Sequence, residues 1–134
     1  MPLNLSLAAT LVASPPSSTD GGLPSGVTNI SFGLNPSTKM VNVDTGAMTR
    51  QINSPSDYIT LEGVPSTVSQ GTTLFIRTTA PFLFRLTNND PITPTQAILP
   101  INGTVLLEFP ADKYLTLLEA QGSGTIEYYI GGAQ

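Results

Sequence analysis

Apolar and polar residues alternate with a period of two along most of this chain, in short runs bounded by Gly, Pro, Asn and Asp. Period two is the spacing of a β-strand, whose successive side chains point to opposite faces. Leu3, Leu5, Leu7, Ala9 and Leu11 fall on one face of a strand over residues 3–13. Ile30, Phe32 and Leu34 align within 27–34, and a further short run covers 57–61. Residues 39–43 and 47–52 flank Asp44-Thr45-Gly46, which reads as a hairpin with a Gly-containing turn. In 72–79, Leu74, Ile76 and Thr78 oppose Phe75 and Arg77; in 82–87, Phe82, Phe84 and Leu86 oppose Leu83 and Arg85. Residues 97–101 and 104–109 flank Asn102-Gly103, the strongest short-range hairpin signal in the chain. Two last runs, 114–119 and 125–130, are separated by Gln121-Gly122-Ser123-Gly124, and Ile126, Tyr128 and Ile130 align in the second. Leu115 to Ala120 is the one stretch that also reads as a helical turn.

Residues 14–26 interrupt this pattern with Ser-Pro-Pro-Ser and Asp-Gly-Gly, the composition of a linker. The chain therefore divides into an N-terminal arm and linker, 1–26, and a β domain, 27–134. Several short strands at turn-bounded intervals predict an all-β fold, an antiparallel β-sandwich or jelly-roll with an extended N-terminal arm. A chain of 134 residues is long enough for one such core without a staple. It has no Cys to make a disulfide or a thiolate metal site.

Charge and the missing residue types narrow the function. Five cations against nine acids give a net charge of −4, too acidic to neutralise a run of phosphates or to favour an anionic membrane. Leu3 to Ala13 is apolar, but no basic residue precedes it, so it does not read as a signal peptide, and no segment approaches the ~20 apolar residues of a membrane span. With no His and no Cys, the usual bases and nucleophiles near neutral pH are missing, and neither Lys39 nor Lys113 sits in a Ser-x-x-Lys arrangement. No enzyme and no cofactor are expected. Two facing carboxylates would suffice for a glycosidase. However, Asp20, Asp44, Asp90 and Asp112 stand in turn contexts, and Glu108, Glu119 and Glu127 take outward positions on strands. These read as solvated acids.

The other candidates are binding features. Sugar recognition favours aromatic platforms, and the chain has four Tyr and no Trp. Tyr128 and Tyr129 are adjacent, so one is expected in the core and one on the surface. Asp44, Asn88, Asn89 and Asp90 are oxygen donors of the kind that bind Ca²⁺, but all sit in turn sequences and no EF-hand loop is present. Asn4, Asn29 and Asn102 head glycosylation sequons, a motif common by chance in a Ser/Thr-rich chain. Gly122-Ser123-Gly124 precedes a strand and so lacks the context of a phosphate loop. Arg77 and Arg85, on successive strands, are the candidate interface charges, set to pair with acids of a partner or simply to solubilise the surface.

The runs Thr73-Leu74-Phe75-Ile76-Arg77-Thr78, Pro81-Phe82-Leu83-Phe84-Arg85-Leu86-Thr87, Leu106-Leu107-Glu108-Phe109, Leu115 to Gly124 and Ile126-Glu127-Tyr128-Tyr129 resemble the C-terminal part of small tailed-phage capsid decoration, or cement, proteins. The likeness covers residues 72–132. It implies a β-sandwich or jelly-roll module that sits on the capsid exterior of a virion, often as a trimer, and stabilises the shell by binding the major capsid protein. On this expectation Leu3, Leu5, Leu7 and Leu11 of the arm are buried between subunits, where an added strand gains main-chain bonds. The alternative is a carbohydrate- or cell-surface-binding module of a tail or fibre.

Overall fold

The computed structural model describes residues 2–7, 10–13, 30–33, 37–62, 68–89 and 96–134, and the side chains of these except residues 7, 10–13, 30–33 and 37–39. The linker expected over 14–26, with Asp20 and Asp90 and the side chains of Leu7 and Leu11, lies outside them. Eleven strands and no helix occur among the described residues. The all-β, antiparallel expectation holds, and Leu115 to Ala120 is strand, not helical turn.

The chain forms two compact units, 4–40 and 41–134, the second joined by residues 1–3. In the smaller unit the expected single strand over 3–13 is two, β1 (Leu3–Leu7) and β2 (Thr10–Ala13). Each has a partner within the chain. β2 pairs antiparallel with β3 (Ile30–Gly33), Leu11 opposite Phe32, and β1 pairs with β4 (Ser37–Val41).

The larger unit is organised by one strand. β11 (Leu115–Ala133) is 19 residues long and hydrogen-bonds along both edges. One edge carries β8 (Phe82–Asn88) and then β7 (Gln70–Thr78): Leu118 faces Leu86, and Ile126 faces Thr78. The other edge carries β6 (Met48–Glu62) and then β5 (Val43–Asp44). β9 (Gln96–Ile101) extends the sheet beyond β8, and β10 (Thr104–Glu108) extends it beyond β7.

These pairings correct both expected hairpins. The strands flanking Asp44-Thr45-Gly46 do not pair with each other; both lie along β11, Asp44 opposite Gly131 and Met48 opposite Tyr128. The turn signal marks a bulge, with Gly46 at φ 67° supplying the left-handed residue and Thr45 N–H bonded to Ile130 O at 2.9 Å. Likewise β9 and β10 do not pair. Asn102-Gly103 instead carries the chain from the β8 side of the sheet to the β7 side, anchored by Thr78 N–H to Gly103 O at 2.8 Å and Gly103 N–H to Thr78 Oγ1 at 3.0 Å.

Gln121-Gly122-Ser123-Gly124 does not end a strand. Gly122, Ser123 and Gly124 stay paired with Ser54, Asn53 and Ile52 while β11 bends. The two glycines sit at φ 149° and 145°, a region costly for side-chain-bearing residues. A Cβ on Gly122 would also lie 2.6 Å from Phe82 Cδ1. Beside this bend the register of β6 skips from Ile59 to Ser54, so residues 55–58 bulge outward. The β7–β8 connection at Thr79-Ala80-Pro81 and the Asn102-Gly103 crossover change partners at the same level. Four chain segments thus bend along one crease, and the sheet folds into two half-sheets.

One apolar core lies between them. Leu74, Ile76, Ile126, Tyr128 and Ile130 come from the first half-sheet, and Phe82, Phe84, Leu86, Leu115, Leu118 and Ala120 from the second. The two halves meet again far from the crease, where Leu115 pairs with Gly71. The expected facing holds: Phe82, Phe84 and Leu86 are buried, while Leu83 is exposed and Arg85 half-exposed.

Gly103 and Gly122 separate two contributions at the crease. Gly103, at φ 120°, has open space around its missing Cβ, so Gly103→Ala meets backbone strain alone. It is expected to destabilise by about 2 kcal/mol. Gly122→Ala adds the collision with the Phe82 ring and is expected to lose about 4 kcal/mol. Urea unfolding of the two variants checks the order; equal losses would mean the ring does not hold the bend.

Candidate functional site

The outer face of the second half-sheet concentrates the features that exposure and charge single out. Period two turns Leu83 and Arg85 outward from β8. The register places Pro100 and Ile98 of β9 beside them on one side, and Gln121 and Glu119 of β11 on the other. Leu83 is 38% exposed and Ile98 57%, so two large apolar side chains stand in solvent two positions apart in the ladder.

Between them lies a closed polar assembly. Arg85 donates from Nε to Glu119 Oε1 at 2.8 Å and from Nη2 to Glu119 Oε2 at 2.6 Å, a two-pronged pair. Tyr58, presented by the β6 bulge, stacks under the guanidinium, with Arg85 Cζ 4.3 Å from the ring centroid. The hydrogen bond to Glu119 is the main cause pushing the Arg85 guanidinium further above its ordinary range. Glu119 is only 8% exposed, so the expectation of a solvated outward acid is corrected. It does face outward from the core, but Arg85 covers it. An acid inside the apolar run Leu115 to Ala120 was the sequence signal for a buried, paired carboxylate.

At the crease this face opens into an apolar groove of about 350 Å³, lined by Pro55, Pro81, Leu83, Pro100 and the edge of Phe82. Its polar members are Asn102 and Gln121, and the Gln121 amide already donates to Pro55 O at 3.0 Å.

Several other charged groups are also matched within the chain. Arg77 is not beside Arg85, because β7 and β8 occupy successive parts of one β11 edge. It pairs with Glu127 directly across the ladder, through Nε at 2.8 Å and through Nη2, on an exposed surface. Asp44 accepts from Tyr129 Oη at 3.1 Å, and Tyr128 Oη donates within reach of Leu61 O at 3.2 Å and Glu62 Oε1 at 3.0 Å. Tyr128 is core and Tyr129 half-exposed, as adjacency required. Both phenols are pushed up to about 12, by burial first, then by Glu62 for Tyr128 and by the bond to Asp44 for Tyr129. No cluster of three metal-ligating acids occurs among the described residues. Of the arm residues, Leu3 is exposed and Leu5 half-buried. Comparison with family models, curated proteins and solved structures finds no match to this chain.

Two predictions follow from these pairs. Glu127→Gln breaks an exposed pair and is expected to change stability by no more than about 0.5 kcal/mol. Glu119→Gln removes the covered partner of Arg85, and its loss is expected to be several times larger in the same urea titration. The tyrosines set the alkaline limit. A phenol whose pKa rises on folding stabilises the fold fully below its unfolded value near 10, and that contribution disappears as pH rises to about 12. Stability should therefore fall between pH 10 and 12, with two phenols ionising late in ultraviolet absorbance. Tyr128→Phe and Tyr129→Phe should each make the decline shallower; an unchanged slope would show that neither phenol is held by the fold.

Proposed function

We propose that this chain is a non-catalytic structural module that acts by surface contact. Following the resemblance over residues 72–132, its role is to decorate the outside of a phage capsid as a homo-oligomer bound to the major capsid protein. The observation that supports it best is the outer face of the second half-sheet: exposed Leu83 and Ile98 mounted on a rigid ladder, flanking an ion pair whose charges are already satisfied. Such a face gives an apolar centre to a contact without leaving a charge to be desolvated unpaired. The aromatic platform that a sugar site would need finds little support, since Tyr58 is stacked by Arg85 and Tyr128 is core. Leu3, Leu5, Leu7 and Leu11 remain the residues proposed for an intersubunit arm, with Arg77 and Arg85 the proposed interface charges.

Light scattering with mass determination, together with co-sedimentation on tailed-phage capsids, tests this reading. The full chain should form an oligomer or bind shells. Leu83→Asp with Ile98→Asp should abolish the association while lowering the unfolding midpoint only modestly, because Leu83 is 38% and Ile98 57% exposed. A chain lacking residues 1–13 reads the arm separately. A full-length protein that stays monomeric and binds no shell overturns the proposal, as does a double variant that associates normally.

A further inference from the structure

The folded sheet closes differently on its two sides. On the β6 side, Arg50 Nη1 donates to Thr60 O at 3.1 Å and Tyr128 Oη reaches Leu61 O, so polar bonds link one half-sheet to the other. On the other side β9 and β10 end the two half-sheets without pairing. Between them lies a cavity of about 290 Å³. Its wall is apolar: Leu86 and Leu115 form the buried floor, and Leu99, Leu107 and Phe109 are half-buried around it. Three polar residues among the described ones interrupt this wall. Lys113 contributes to the lining and forms no ion pair with a described residue. Thr87 and Asn88 also border it. An apolar cavity with a few polar groups at its border, opening from a folded sheet, is the usual form of a small-molecule site.

We propose that this cavity binds a small alkyl carboxylate, with the chain against Leu86, Leu99, Leu107 and Phe109 and the carboxylate held by Lys113. Charge complementarity decides the head group: the one ionisable residue among the described lining residues is a cation, in a protein whose net charge of −4 otherwise repels anions. Volume limits the tail, because the cavity stands at the low end of the range of roughly 300–1,000 Å³ for such sites. The inference rests on the cavity and is independent of any role on a shell.

Octanoate, titrated below its micelle-forming concentration into the full chain, is the probe, with octanol as the uncharged control. Calorimetry and amide NMR shifts should show saturable one-to-one binding, with shifts at Leu99, Leu107 and Phe109. Lys113→Gln, at an exposed position, should weaken octanoate roughly tenfold, the size of one charge-assisted hydrogen bond, and leave octanol unchanged. The proposal is overturned by the absence of saturable octanoate binding, by equal affinity of octanoate for the Lys113→Gln protein, or by shifts confined to the crease at Leu83 and Gln121.

Discussion

The larger unit depends on one strand serving two half-sheets. β11 hydrogen-bonds to β5, β6, β7 and β8, so only β9 and β10 are attached at second hand. That arrangement requires the strand to bend without losing its ladder to β6. Glycine at 122 and 124 permits the bend, and the Phe82 ring occupies the space that a side chain at 122 would fill. The ring belongs to the core and the glycine to the crease, so packing and backbone geometry specify each other. A second close approach reinforces the fold at the far end, where a Cβ on Gly132 would stand 1.9 Å from Gln70 O. Both constraints are steric, and neither is relieved by a longer or more flexible side chain.

The same topology explains what the sequence revealed and what it hid. The inward and outward positions of Phe82 to Leu86, of Leu74 to Thr78 and of Ile126 to Ile130 were legible, because strand period alone sets them. Asp44-Thr45-Gly46 and Asn102-Gly103 were misread because turn chemistry reports a backbone conformation and nothing about the next strand's partner. A left-handed glycine suits a bulge as well as a hairpin. Gly122-Ser123-Gly124 was misread as a boundary for the converse reason: glycine weakens a strand in isolation, but here β6 holds it on one side throughout. Of the candidate face, Leu83 and Arg85 were placed outward correctly. Glu119 and Tyr58 were not joined to them, because their meeting depends on a register 34 residues apart and on a bulge in a third strand.

Nearly every pairing in the unit is long-range. β8 and β9 form its one local hairpin, Thr87 opposite Gln96, whereas β6 and β7 must wait for β11 at the chain's end. Loop-closure entropy is lost before such contacts repay it, which makes folding slow and leaves strand edges open meanwhile. A sequence with charges spread thinly, only 10% of residues, has few ways to protect those edges. Pro55 and Pro100 stand on β6 and β9, strands with an edge that no described strand covers, and there they block further pairing at no loss to the ladder.

Much of the positive charge on the larger unit is committed to holding the sheet together. Arg77, Arg85 and Arg50 are each bonded within the chain, two to glutamates directly across the ladder and one to a backbone carbonyl that ties the half-sheets together. Side chains bound in this way stiffen a sheet. What the larger unit offers to solvent is in part apolar: Leu83 and Ile98 on one face, and an unclosed seam between β9 and β10 with a lysine among its lining residues. An exposed apolar pair beside a matched ion pair is what the proposed contact face requires of the sheet that carries it.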